Sequence, residues 1–201
     1  MVHEQKTGDE HFHIDGMPAG YLLNDFWRWQ SSDLLNNTLR GVLAEFIVAK
    51  ALGIDTERPR EEWGAYDLLF NDQLSIEVKS SSYVQSWEQS TESTPRFTIR
   101  PTCGWDSENG YVNKSSRQSD MYIFCVFAEK NRAAADPLIL DQWDFYPVLA
   151  EELDASLPGA AHRHVGNSTT VLPRAIRLRY PARCCHLACF RKNKHRSTES
   201  Y

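Results

Sequence analysis

The chain of 201 residues carries 22 Lys and Arg against 27 Asp and Glu, a formal net charge of −5, which excludes a uniformly basic surface of the kind that coats nucleic acid. Hydrophobic residues make up 41% and aromatic ones 11%, more apolar mass than a disordered chain holds. No apolar run approaches the roughly 20 residues that span a bilayer, and the first twenty residues lack the apolar centre of a signal peptide. A soluble, cytoplasmic domain with appendages is therefore expected.

Met1 to Gly20 is polar and aperiodic and reads as a flexible or loosely docked arm (residues 1–20). From Tyr21 the pattern turns helical, with Leu22, Leu23, Phe26 and Trp29 at helical spacings. Ser31, Ser32 and Asp33 offer N-caps for a longer helix, roughly Leu34 to Leu52. Its apolar stripe is expected to hold Leu35, Leu39, Val42, Leu43, Phe46, Ile47, Ala49, Ala51 and Leu52, with Gly53 as the stop. Glu45 is the conspicuous polar residue in that apolar middle. After a charged loop (Thr56 to Trp63), Tyr66 to Phe70 and Leu74 to Lys79 form a hairpin about Asn71-Asp72, residues that tolerate left-handed turn conformations. Phe97 to Arg100, the apolar run Met121 to Phe127 and Trp143 to Val148 suggest further strands. Cys103 to Asp120 reads as mostly loop with a short helix at most, and Leu149 to Leu157 as a helix closed by Pro158-Gly159. The fold class expected is α/β, a central mixed β-sheet flanked by helices, over residues 21–173.

Chemistry concentrates at the hairpin. Positions two apart on a strand share a face, so Glu77 and Lys79 project together while Val78 faces the opposite layer. The turn returns Asp67 beside the end of the second strand. Two carboxylates at one focus repel each other and favour a hard divalent cation with oxygen ligands. Magnesium there would lower the pKa of a bound water and neutralise phosphate charge. Lys79 is placed to orient the water or contact the phosphate, and Glu45 supplies a further acid if its helix packs on the hairpin.

This arrangement, Gly64-Ala65-Tyr66-Asp67 followed by Glu77-Val78-Lys79 and preceded by Leu43-Ala44-Glu45-Phe46, resembles the PD-(D/E)XK nuclease superfamily with its restriction-endonuclease-like fold. The resemblance covers roughly Leu34 to Phe127, and Tyr66 stands where the eponymous Pro would be. It implies a Mg2+-dependent nuclease, with Mn2+ as substitute, that hydrolyses phosphodiester bonds in DNA in a restriction, defence or repair setting. Asp67, Glu77, Glu45 and the main-chain carbonyl of Val78 would hold the metal, and Lys79 would serve the nucleophilic water. Gln85, downstream of the motif lysine, would contact the phosphate backbone or Lys79, and Ser81 at the strand end is a further candidate for nucleic-acid contact. An RNA substrate stays open, since such a cleavage site does not encode sugar preference. Related folds often dimerise to cut both strands, but no pattern here locates a homodimer interface. The rival reading is a binding subunit that keeps the fold without turnover.

Charge is unevenly spread. Residues 174–201 carry eight basic side chains against Glu199 alone, or +7, leaving −12 for the other 173 residues. Arg191, Lys192 and Lys194 in this Cys-containing segment suit phosphate contact, each adding to the salt dependence of binding, and equally suit a disordered solubilising tail. A structural zinc at Cys184, Cys185, His186 and Cys189 is disfavoured, because adjacent cysteines rarely ligate one ion in a compact site. The histidines read as surface residues and most of the six Trp as core, with Trp87 and Trp105 the candidates for base stacking.

Overall fold

The computed structural model describes residues 4–60, 62, 64–99, 102–106 and 110–156. In chain order the hairpin β1 (His11–Ile14) and β2 (Met17–Leu22) leads into helices α1 (Leu23–Ser31) and α2 (Asn37–Leu52). Strands β3 (Leu68–Phe70) and β4 (Leu74–Ser82) follow, then a second separate hairpin, β5 (Thr102–Asp106) and β6 (Gly110–Ser116). Strands β7 (Met121–Phe127) and β8 (Trp143–Leu149) and helix α3 (Ala150–Ser156) complete the order. A four-stranded sheet, β3-β4-β7-β8, organises these elements. The architecture is the mixed α/β one expected from the sequence. No helix among the described residues is long and apolar enough to cross a membrane.

The β3-β4 hairpin forms as its turn chemistry dictates, with Asn71 and Asp72 at φ 51° and 56° and Leu68 opposite Ile76. β4 then runs parallel to β7, Ile76 beside Met121 and Lys79 beside Phe124, and β7 pairs antiparallel with β8. Asp120 pins the start of this parallel pairing. Its carboxylate accepts from the Ser75 amide at 3.1 Å and the Ser75 hydroxyl at 2.8 Å, while its own amide donates back to the Ser75 carbonyl at 3.1 Å.

β7 is buried along its whole length because both faces are covered. Met121, Ile123, Cys125 and Phe127 meet α2 together with Ile76, Val78, Trp143 and Phe145. Tyr122, Phe124 and Val126 meet Phe97, Ile99, Val148 and Leu153 on the other face. The Trp143 ring stands edge-on to Phe127 at 5.3 Å and its indole N–H donates to the Pro137 carbonyl at 2.9 Å, so the largest core side chain leaves no donor unpaired.

Several elements depart from expectation. α2 begins later than Leu34, because Asp33 to Asn36 close a turn and Asn36, not Ser31, Ser32 or Asp33, caps the amides of Thr38 and Leu39. Gly53 ends the helix in the left-handed conformation at φ 70°, as expected. The face turned inward carries Arg40, Ala44, Glu45, Ile47, Val48, Ala49 and Leu52, while Val42 and Phe46 are exposed. Residues 11–22 form a hairpin, set by Asp15-Gly16 at φ 50° and 77°, mostly within the segment 1–20 read as a flexible or loosely docked arm. Thr102–Asp106 and Gly110–Ser116 likewise pair as antiparallel strands, where Cys103 to Asp120 read as mostly loop. Phe97 and Ile99 alternate inward as a strand would, yet among the described residues they pair with no strand. Among tryptophans whose side chains are described, only Trp143 is core; Trp27, Trp29 and Trp87 are exposed.

Candidate active site

Asp67 directly precedes β3, the edge strand of the sheet, and its carboxylate accepts the main-chain amide of Val78 at 2.7 Å. That bond ties the end of one hairpin arm to the middle of the other. On β4, alternation sends Ile76 and Val78 toward α2 and sends Glu77 and Lys79 to the opposite face, where the Lys79 ammonium pairs with the Glu77 carboxylate. Tyr122 is the partner of Glu77 in the parallel register, and burial followed by the Glu77 charge raises its phenol.

Electrostatics single out Asp67. Burial pushes its carboxyl up to about 6; the Val78 amide opposes this, the Glu77 and Glu45 charges add to it, and Lys79 again opposes it. The side chain thus stands in a partly desolvated field that is short of positive charge. A strongly shifted acid held by a strand edge beside a Glu and a Lys is a pattern enriched at functional sites.

Glu45 projects from the sheet-facing side of α2 and is buried at 9% exposure. Its carboxylate receives the Arg60 guanidinium in a two-pronged contact, through Nε and, at 3.0 Å, through Nη2. Glu45 therefore lies on the α2 side of the sheet and the Glu77–Lys79 pair on the other, with Asp67 at the edge within the field of both. The structure brings Asp67, Glu77 and Lys79 to one end of the hairpin, whereas Glu45 reaches them electrostatically and not by contact. Among the described residues no three His, Cys, Asp or Glu side chains converge tightly enough to hold a metal as they lie. The donor chemistry nevertheless suits a hard cation, since Asp67, Glu77 and Glu45 offer carboxylate oxygens and the Asp67 carboxyl stays raised despite the Lys79 charge.

Gln85, expected at the nucleic-acid backbone, is instead interior at 7% exposure. It donates to the Ser82 carbonyl at 3.0 Å and receives Arg40 at 3.4 Å. Ser81 is half-buried, its hydroxyl accepting the Arg96 amide at 3.0 Å. Trp87 is exposed, on a loop whose carbonyls at Gln85, Ser86 and Trp87 are gathered by Arg132 at 2.7 to 2.9 Å. Arg191, Lys192, Lys194 and the group Cys184, Cys185, His186 and Cys189 lie outside the described residues, as do the side chain of Trp105 and Pro158-Gly159.

Two arginines at the site carry no motif that would mark them in the sequence. Arg40 is buried and spans Leu35 and Asn37 on its own side and Ser80 and Gln85 across it, so all four hydrogen-bond partners are neutral. Burial lowers its pKa from the ordinary arginine value. Arg60 comes from the charged loop before β3, and membership of that loop is its one sequence signal.

Comparison with curated proteins gives no match. Among solved structures the chain is similar to a bacterial homing endonuclease, I-Ssp6803I, at 17% identity and a TM-score of 0.37, over 79% of this chain and 96% of that one. The family model described as bacteriophage T4 endonuclease IV matches residues 20–154, well over half of the 201 residues and all of α1, α2 and the four-stranded sheet. That span contains Glu45, Asp67, Glu77 and Lys79, and the chain belongs to the bacteriophage T4 endonuclease IV family.

Proposed function

We propose that the protein is a divalent-metal-dependent endonuclease that hydrolyses phosphodiester bonds in DNA, built on the restriction-endonuclease-like plan of the PD-(D/E)XK superfamily. The observation that carries this reading is the half-buried Asp67 carboxyl, raised to about 6, at the mouth of a hairpin that also presents Glu77 and Lys79. Membership of an endonuclease family supports it. Asp67, Glu77 and the Val78 carbonyl would hold Mg2+, or Mn2+ in its place, with Glu45 as a further acid. Such an ion supplies charge for the phosphate and acidity for a bound water.

The chain's own residues then have separate tasks. Asp67 offers an oxygen not engaged by Val78, and the Val78 amide fixes the direction in which that oxygen points. Lys79, paired with Glu77 and only partly exposed, holds a proton donor beside the carboxylate face, where it orients water and counters charge building on the phosphate. β4 is locked to β7 over seven register pairs, from Ile76–Met121 to Ser82–Phe127, so these groups sit on a rigid element.

Cleavage of plasmid DNA with Mg2+ or Mn2+ tests the reading. Lys79→Ala is expected to cut about a hundredfold or more slowly than wild type while still binding metal, and Asp67→Ala to be defective in both. Equal cleavage by all three proteins would sink the proposal. A silent binding subunit is the second reading, favoured by the pairing of Glu45 with Arg60 and of Glu77 with Lys79. Its signature is DNA binding with no calorimetric Mn2+ signal.

A further inference from the structure

The Glu45 carboxylate is only 12% exposed in its side chain and sits among Ala44, Ile47 and Val48 on the inward face of α2. A carboxylate in that position is costly without a cation beside it. The cation it has is Arg60, whose guanidinium addresses both carboxylate oxygens. Arg60 differs from Arg40, the other arginine near this face. Arg40 is buried and held at four points, whereas the Arg60 side chain is 37% exposed and comes from the connection between α2 and β3, outside any helix or strand. Its hydrogen bonds among the described residues go to Glu45, and it also feels the charges of Asp67 and Glu62. Arg60 thus stands within the field of both Glu45 and Asp67, on a connection outside the helices and strands.

We propose that Arg60 is the resident counter-ion of this site, a guanidinium that neutralises Glu45 in the metal-free protein and gives up that carboxylate when a divalent cation binds. The inference deepens the metal reading of Glu45 and Asp67 and rests on it. One positive partner exchanges for another, so the buried carboxylate is never left alone, and breaking the Arg60 contact becomes part of the cost of loading metal. Arginine suits the task because it stays charged at every working pH and its planar fork matches a carboxylate.

Titration calorimetry of the full chain with Mn2+ tests this. Arg60→Ala is expected to bind Mn2+ about five- to tenfold more tightly than wild type, since the ion no longer displaces a partner. Arg60→Lys, which keeps the charge without the fork, should fall between them. Thermal unfolding supplies a second readout that needs no DNA and no turnover. Arg60→Ala should lower the midpoint without metal, by exposing Glu45 unpaired, and saturating Mn2+ should restore more of it than it adds to wild type. Equal Mn2+ affinity in wild type, Arg60→Ala and Arg60→Lys would overturn the role of Arg60 and leave the metal site standing. Weaker binding in Arg60→Ala would also overturn it, making Arg60 a support of the metal-binding form. Absence of Mn2+ binding in all three proteins would instead bring down the metal reading itself, and this inference with it.

Discussion

The Asp67 carboxyl sits where burial and the charges of Glu77 and Glu45 favour its protonated form, and the Val78 amide and Lys79 offset them only in part. With its folded value at about 6 against an ordinary 3.8, the unfolded chain ionises first as pH rises. Folding therefore takes up a proton between those two values, and this residue's contribution to stability falls as pH climbs from about 4 to about 6, then stays flat. The corresponding difference is at most about 3 kcal/mol, less after screening by the solvent that reaches the side chain. Asp67→Asn keeps an acceptor for Val78 and removes the charge. It is expected to be about 1–2 kcal/mol more stable than wild type at pH 7 without metal, as read by urea denaturation, and inactive on DNA. Its stability should also lack the fall between pH 4 and 6; an identical pH profile would show that the strain belongs to another group. A stabilising substitution that abolishes activity is what a residue retained for chemistry predicts.

At the level of elements, the position of the site depends on how β4 meets β7. A parallel pair has no short turn to set its register, and here Ser75 and Asp120 take that part, joined by side-chain and main-chain bonds at the start of both strands. From that anchor Glu77 falls beside Tyr122 and Lys79 beside Phe124, which fixes the face on which the pair stands. Asp120→Ala removes the acceptor for both Ser75 donors and is expected to cost about 1–3 kcal/mol. Asp120→Asn, which retains one oxygen, should cost less. Denaturation midpoints check both, and a decrease in Asp120→Ala no greater than in Asp120→Asn would assign the register to the hydrophobic faces alone. α2 contributes through only part of its broad apolar stripe. Val42 and Phe46 face outward so that Ala44, flanked by Arg40 and Glu45, can lie close to the sheet. A small residue there brings the helix near enough for its charged neighbours to reach Ser80 and Arg60.

For the molecule as a whole, the net charge of −5 conceals a segment of +7 at residues 174–201. Acids collected at the candidate site and bases collected elsewhere permit local, salt-sensitive binding of a polyanion by a protein of acidic balance. Deleting 174–201 is expected to weaken binding of duplex DNA and to flatten the plot of log affinity against log salt by up to about 0.9 for each phosphate no longer neutralised. An unchanged slope would place the phosphate-binding groups within residues 1–173. The exposed Trp87 loop, gathered by Arg132, is the part of that region best placed to add stacking to charge.

Elements whose signals are local were legible in the chain before any fold was known. Asn71-Asp72 turned the hairpin, Gly53 ended α2, and the unbroken apolar run Met121 to Phe127 became the central strand, because turn conformation, helix capping and burial on two faces each leave a mark on adjacent residues. The Glu77-Val78-Lys79 spacing likewise placed its carboxylate and ammonium together on one face. Other features belong to the tertiary arrangement. Which part of the broad apolar stripe of α2 turns inward follows from how closely the helix must approach β4. That Gln85 is interior, that Asp67 reaches the Val78 amide, and that Glu45 is held by Arg60 on the far side of the sheet are contacts between residues 11 to 45 positions apart. Such pairings depend on register and layer order, and no local pattern of residues encodes them.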